Sequence, residues 1–276
     1  MGRTALVTGG NQGLGFALVR GLCRAMAPDD SVYLTARDPV RGRDAVAALA
    51  REGLNPRLLP LDVTDPAGVV AAARAVEERH GGVDILIGNA AARIVRERSP
   101  AEQVRHFVDT NNFGTRRLLD SFGPLLRDGA RVIVVASGFG QVGRLPPALQ
   151  PLFDAPGLTL DDIDRAMADY VEAVEIGRAA DLGWPDWINI PSKIGQVATT
   201  RRFARDPAWA ARDILVNAAC PGLVDTEASR PWFDDMSQAQ SPDDAARDLV
   251  WLATLPSGRR APHGELVRHR QVLPWR

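Results

Sequence analysis

A short apolar strand that runs straight into a glycine-rich turn and then a helix limits this chain more than any other feature. Thr4 to Thr8 reads as the strand, Gly9-Gly10-Asn11-Gln12-Gly13-Leu14-Gly15 as the turn, and an amphipathic pattern begins at Leu14. Glycines at 9, 13 and 15 let the backbone turn tightly and approach a pyrophosphate, while the following helix N-terminus offers free N–H groups and a favourable dipole. A glycine triplet alone is weak. Set between a strand and a helix at the start of a βαβ unit, it points to a dinucleotide held by Gly9, Asn11, Gln12, Gly13, Leu14 and Gly15. The competing reading is a purely structural turn.

The same alternation continues down the chain. Candidate strands are Thr4–Thr8, Ser31–Ala36, Arg57–Leu61, Val83–Gly88, Arg131–Ala136 and Ile214–Ala219, with a weak last one near Glu265–Val267. The central runs are almost wholly apolar, as parallel strands buried on both faces require. Between them lie helical stretches such as Leu14–Met26, Pro66–His80, Pro100–Leu126 and Pro242–Leu255. Asp65-Pro66, Ser99-Pro100 and Ser241-Pro242 each set a capping residue before a proline at the first helical position. Length alone would allow two domains. The unbroken βα repeat instead predicts one α/β domain over 1–276: a single Rossmann-type, doubly wound parallel sheet of about seven strands with helices on both faces. Residues 141–185 break the rhythm and read as an insertion carrying a helix over Asp161–Ile176; residues 223–241 read as a substrate loop.

Apolar residues make up 45% of the chain and net charge is -1, which excludes disorder and offers nothing to nucleic acid or an anionic membrane surface. Cys23 and Cys220 make no disulfide framework and no metal cluster, so no metal is expected and both read as small buried hydrophobes. No apolar run approaches the ~20 residues of a membrane helix. Arg3–Thr8 leads into the glycine turn rather than a cleavage site, so the chain is expected to be soluble, cytoplasmic and complete as given. The histidines at 80, 106, 263 and 269 are scattered and read as surface residues, which argues against a hydrolytic triad or a zinc site.

The second strand ends Thr35-Ala36-Arg37-Asp38, beside the adenosine ribose of a dinucleotide in this fold. An arginine there accommodates a 2′-phosphate, so Arg37 points to NADP(H). Asp38 next to it pulls toward NAD, and a surface arginine without a ligand is the other alternative. Asp62, with Val63 in Leu61-Asp62-Val63, is placed to accept from the adenine amino group or simply to cap a turn.

These segments resemble the short-chain dehydrogenase/reductase family, and most closely its carbonyl reductase branch. The resemblance rests on TGGNQGLG (8–15), LTARD (34–38), LDV (61–63), GNAA (88–91), TNNFGT (110–115), GWP (183–185), SKIG (192–195), CPGLVDT (220–226) and APHGELV (261–267), and so covers essentially the whole chain. It implies an NADP(H)-dependent oxidoreductase of a small molecule. It also implies a monomer, because in that branch the insertion covers the surface other members use to oligomerise. Asn111, Ser137 and Lys193 match three of the family's four catalytic positions. Asn89 would line the cofactor, and Pro221, Gly222, Val224 and Thr226 would hold its carboxamide end. The fourth position is a tyrosine four residues before the lysine, whose hydroxyl protonates the substrate oxygen. Here that position is Asn189, and neither Tyr33 nor Tyr170 can stand one turn before Lys193. An amide hydrogen-bonds a carbonyl but has no titratable proton near neutral pH.

Lys193 is nevertheless the sole lysine among 33 basic residues. The position needs a compact ammonium on a flexible stem and does not take a guanidinium, and the resemblance implies that Lys193 also binds the nicotinamide ribose of the cofactor, with or without catalysis. Three readings stay open. The protein reduces a carbonyl with another donor, either Lys193 through water or Asp169, Tyr170 or Glu172 of the insertion. Or the substrate needs no protonated oxygen, as with an iminium, a conjugated acceptor or a non-redox cyclisation or rearrangement in a biosynthetic pathway of secondary metabolism. Or the chain is a catalytically inactive NADP(H)-binding module, against which the joint presence of Asn111, Ser137 and Lys193 argues. Ser137 could also be an ordinary strand-end cap, and Asn111 a kink residue. The pocket is expected beside Ser137 and Asn189, walled by Ile94, Val95, Phe139, Gln141, Trp184–Trp187, Trp232 and Phe233, which suits a bulky or aromatic substrate unless those rings are core.

Overall fold

The computed structural model describes residues 2–276. The apolar runs form eight strands: β1 (Thr4–Val7), β2 (Ser31–Ala36), β3 (Arg57–Pro60), β4 (Val83–Gly88), β5 (Leu126–Val135), β6 (Leu215–Ala219), β7 (Leu266–Arg268) and β8 (Gln271–Leu273). All belong to one sheet in the order β3-β2-β1-β4-β5-β6-β7-β8. The first seven run parallel, and the strand order reverses beside β1, opening a crevice above the carboxyl ends of β1 and β4. The eighth strand was not expected. It returns antiparallel along β7 through a turn at His269 and Arg270, both at positive φ (48° and 62°).

The helices are α1 (Gly13–Ala25), α2 (Pro39–Ala50), α3 (Pro66–His80), α4 (Pro100–Val108), α5 (Gly114–Phe122), α6 (Pro151–Asp154), α7 (Leu160–Glu175), α8 (Asn189–Ala204), α9 (Pro207–Ala211) and α10 (Pro242–Ala253). Asp65, Ser99 and Ser241 are the N-cap residues of α3, α4 and α10, each with proline in the first turn, as their dipeptides predict. Alternation along the strands supplies two cores. Ala5 and Val7 pack with α1 and α10 on one face, while Leu6 packs with α3 and α5 on the other.

The single helix expected over Pro100–Leu126 is instead broken by a π-helical turn at Asp109–Phe113, and Leu126 already belongs to β5. A π turn spends one residue more than an α turn and loosens the hydrogen-bond ladder around it. Two threonines patch it from their side chains: Thr110 donates to the His106 carbonyl (2.9 Å) and Thr115 to the Asn111 carbonyl (2.6 Å). The helices on either side serve different cores. Val104, Phe107 and Val108 of α4 join the apolar cluster of the insertion, whereas Leu118, Leu119 and Phe122 of α5 lie under the sheet.

The insertion folds as α6 and α7, with α7 packed across α4 and α8 through Ile163, Met167, Tyr170 and Val174. This geometry corrects the idea of a proton donor from that segment. Asp169 and Glu172 lie on the exposed side of α7, and Tyr170 is wholly buried against Trp184 (4.8 Å between ring centroids), its hydroxyl without a partner among the described residues and its phenol pushed up by burial. Two histidines also depart from the surface role expected of them. His80 bonds the Tyr33 hydroxyl at 2.9 Å, and His263 bridges the Ala204 carbonyl (2.8 Å) and the Val216 amide (3.3 Å).

Candidate active site

The glycine turn is built as its residues demand. Gly9 and Gly13 adopt positive φ (63° and 52°), and a Cβ at Gly15 would lie 2.1 Å from the Gly9 carbonyl oxygen. Thr8 and Asn89 hold the turn from behind. Thr8 Oγ1 accepts from the amides of Asn89 and Ala90 (both 2.9 Å), and Asn89 Nδ2 donates to the carbonyls of Thr8 (2.9 Å) and Gly9 (3.2 Å). Asn89 therefore shapes the turn with the amide that the resemblance assigns to lining the cofactor. At α1 the cap residue Gln12 makes no side-chain cap bond, which leaves first-turn N–H groups open toward the crevice. That donor set and the cradle of glycines fit a pyrophosphate.

At the tip of β2 the two candidate side chains have separate duties. Asp38 caps α2, accepting from the amides of Val40 (2.8 Å) and Arg41 (3.3 Å), while Arg37 is exposed and makes no ion pair among the described residues. Asp62 uses Oδ1 for a turn with Thr64 (2.9 Å to N, 2.8 Å to Oγ1), so the capping alternative holds for that oxygen. On the far side of the crevice, Thr226 stands against Gly13, with 3.4 Å from its Cγ2 to where a Gly13 Cβ would be. Gly222 takes a positive φ of 78°, and Val224 pairs with Gln240, closing the neck of the 223–241 loop.

Lys193 is buried on α8. Its ammonium donates to Gln196 Oε1 at 2.7 Å and lies 3.5 Å from the Val135 carbonyl at the end of β5. Burial brings the Lys193 ammonium down from 10.5 to about 8, with the Cys220 thiol pulling the other way. Ser137, two residues beyond Val135, caps a short 3-10 turn by accepting from Phe139 N (3.2 Å), and its own proton goes to no described residue. The turn presses on α8 at Lys193: a Cβ on Gly140 would come within 2.9 Å of the Lys193 carbonyl oxygen. Asn189 is half-buried at the first position of α8, one helical turn before Lys193, and its amide bonds no other described residue.

Asn111 has no exposed surface. Its Oδ1 accepts from Ala92 N (2.9 Å) and its Nδ2 donates to Ser192 Oγ (3.3 Å). Ser192 Oγ in turn donates to Asn112 Oδ1 (2.8 Å), and Asn112 Nδ2 donates to the Ser192 carbonyl (2.9 Å). The asparagine pair thus clamps the π turn onto the start of α8. Asn112, Thr115, Ser192 and Gln196 were all missed by sequence reasoning. The available signal was Gln196, a polar residue one turn beyond Lys193 on a helix buried along nearly its whole length.

The expected pocket wall is reached in part. Phe139 meets Trp187 edge-on at 4.9 Å and Trp187 meets Trp232 at 6.1 Å, a line that joins the ends of β5 and α8 to the 223–241 loop. Arginines cover both ends: Arg144 lies 5.1 Å from the Phe139 centroid and Arg96 5.5 Å from that of Trp232. Trp187 Nε1 is buried without a partner among the described residues. Trp184 belongs instead to the core of the insertion, and Gln141 is tied to the Pro274 carbonyl at 2.8 Å.

A short chain dehydrogenase family model matches residues 3–147. Carbonyl reductase [NADPH] 1 of Rattus norvegicus is 36% identical over 277 residues, covering 98% of both chains. The chain belongs to the short chain dehydrogenase family. Carbonyl reductase [NADPH] 1 of Sus scrofa is 37% identical over 279 residues, covering 99% of this chain and 94% of its own. Salutaridine reductase from Papaver somniferum superposes with a TM-score of 0.83 at 26% identity, over 96% of this chain and 99% of that one. This dehydrogenase-family chain therefore shares an oxidoreductase fold and lineage over nearly its full length. Among the described residues no helix is long and apolar enough to cross a membrane, and no group of three or more His, Cys, Asp or Glu is placed to hold a metal.

Proposed function

We propose that this chain is an NADP(H)-dependent reductase of a bulky aromatic carbonyl compound, with Lys193 giving the proton that a tyrosine supplies in the family's usual site. The observation that carries the reading is the Lys193 ammonium, buried, lowered to about 8 and held against the Val135 carbonyl at the end of β5, two residues before Ser137. NADP(H) is supported by the relatives named carbonyl reductase [NADPH] and by Arg37, left free while Asp38 caps a helix. When bound, NADPH supplies a hydride.

The remaining work falls to the chain. The open N–H groups of α1 and the Gly9–Gly15 turn hold the pyrophosphate, and Arg37 takes the 2′-phosphate. Asp62 offers Oδ2 to the adenine amino group, and the Pro221–Thr226 turn receives the carboxamide end. Ser137 Oγ donates to the substrate oxygen and Asn189 Nδ2 donates a second hydrogen bond, so charge growing there meets two donors. Lys193 then passes an N–H proton to that oxygen. Near pH 7 it is mostly charged, yet it releases its proton more readily than an ordinary lysine. The line of Phe139, Trp187 and Trp232 forms the wall for a flat ring system. With guanidinium groups already over Phe139 and Trp232, a second cation is disfavoured, so a neutral or anionic ketone or quinone fits better than an iminium ion.

The test is NADPH consumption against quinones, aromatic ketones and cyclic iminium compounds, with bound NADPH measured alongside. Quinone or aromatic-ketone turnover that falls as pH rises through about 8, and is lost in Lys193→Met with NADPH still bound, is the expected result. Turnover confined to iminium compounds, or ketone turnover undiminished in Lys193→Met, would overturn the reading.

A further inference from the structure

Behind Lys193 a chain of side chains runs inward, and its hydrogen-bond polarity is fixed at every joint. Thr115 spends its hydroxyl proton on the Asn111 carbonyl at 2.6 Å, so its oxygen can only accept from Gln196 at 3.1 Å. The Gln196 atom facing Thr115 must then be Nε2, which turns Oε1 toward the Lys193 ammonium at 2.7 Å. All four residues are interior: Asn111 is 0% exposed, Gln196 1%, Thr115 6% and Lys193 9%. The Asn111 carbonyl sits in the π-helical turn, where the loosened ladder leaves it to take a side-chain donor.

We propose that Gln196 is a positioning residue for Lys193: its amide oxygen, anchored through Thr115 to the Asn111 carbonyl, fixes the ammonium from the interior side. The proposal rests on the reading of Lys193 as proton donor only for its kinetic consequence. Without Gln196, the Val135 carbonyl at 3.5 Å would be the remaining acceptor from the described residues. Of the elements around the ammonium, β5 brings that carbonyl, α5 brings Thr115 through Gln196, and the segment after β6 brings Cys220, the titratable neighbour that opposes the effect of burial on it. An acceptor at 2.7 Å favours the charged form and opposes what burial does to it. It also holds one N–H inward, with a second facing the Val135 carbonyl at 3.5 Å and the third without a described partner.

Because Lys193 is the sole lysine, protein grown with lysine labelled at 13Cε gives one lysine signal, and its titration needs no substrate. The full chain should show a midpoint near the value of about 8. In Gln196→Met the midpoint should fall by about one pH unit, and in Gln196→Glu it should rise by at least about that much. Thr115→Val, which cuts the anchor and leaves Gln196 in place, should lower it by a smaller amount and serves if Gln196→Met fails to fold. An unmoved midpoint in Gln196→Met or, in its place, Thr115→Val would overturn the proposal. The pH at which kcat declines should follow the titration midpoint from variant to variant. A midpoint that moves while the kcat profile stays put supports the positioning role and refutes Lys193 as the proton donor, so the two failures separate.

Discussion

Replacing Lys193 by methionine turns the burial of one ammonium into a measurable slope of stability against pH. The unfolded chain holds the Lys193 proton up to the ordinary 10.5, the folded chain only to about 8. Between those values the unfolded state binds more protons, so the free energy of unfolding rises with pH; below about 8 the whole cost of the buried charge is present. From pH 7 to pH 10 this one group should add about 2.5 kcal/mol to stability. Lys193→Met cannot show that gain, and the partner it strands, Gln196 Oε1, costs the variant an amount that does not change with pH. The assay is urea unfolding of both proteins at pH 7, 8, 9 and 10, followed by tryptophan fluorescence. Groups common to both and not coupled to Lys193, including the Cys23 thiol that burial pushes up to about 11, cancel in the difference. The gap between wild type and variant should shift in favour of wild type by about 2.5 kcal/mol across the range. A flat difference, or one that shifts the other way, would mean the ammonium is not desolvated in the fold, and the proton-donor argument would go with it.

Asn189→Tyr should raise turnover of generic ketones and quinones by about tenfold or more and leave NADPH affinity nearly unchanged; no gain with NADPH still bound would show that the pocket is the block. Arg37→Ser should weaken NADPH binding roughly 10- to 100-fold with little effect on NADH, measured by fluorescence titration. Equal losses for both cofactors would place Arg37 away from the 2′-phosphate. Asn89→Ala should weaken both cofactors together, because its Nδ2 holds the Thr8 and Gly9 carbonyls rather than any part selective for phosphate. Since α7 lies across α4 and α8, the chain should sediment as a monomer at micromolar concentration, and a stable dimer would show that another face pairs.

The parts of the fold that could be read from sequence are those whose signals are local. Residues 4–15 announce a strand, a turn and a helix within one short stretch, and Asp65-Pro66 or Ser241-Pro242 marks a helix start with two residues. The strand β8 carried no such signal. Its hairpin turns on His269 and Arg270 at positive φ, where the usual sign would be Asn-Gly, and the strand is only three residues long. The π turn stayed hidden although Thr110–Thr115 is rich in weak helix formers, because composition does not tell a π turn from a break, and the contacts that clamp it to Ser192 come from 80 and 81 positions away. Site residues followed the same division. Lys193 stood out by composition alone, whereas Gln196 acquires its role from Thr115, 81 residues distant, and nothing in either residue's neighbourhood announces the pairing. Trp184 and Trp187 looked equivalent in sequence, and only packing sends one into the insertion core and the other to the line with Phe139 and Trp232.

The extra residue at Asp109–Phe113 sets the phase between two helices that answer to different neighbours, α4 under the insertion and α5 under the sheet. Loss of a single codon there would regularise the helix and rotate one half against the other by about 100°. Either Val104 and Phe107 would leave their cluster, or Leu118 and Phe122 would leave theirs. Substitutions across the turn keep that phase and can be sampled one at a time; deletions cannot. For anyone shuffling segments among related reductases, a crossover inside 109–113 must therefore preserve residue count before it preserves residue identity.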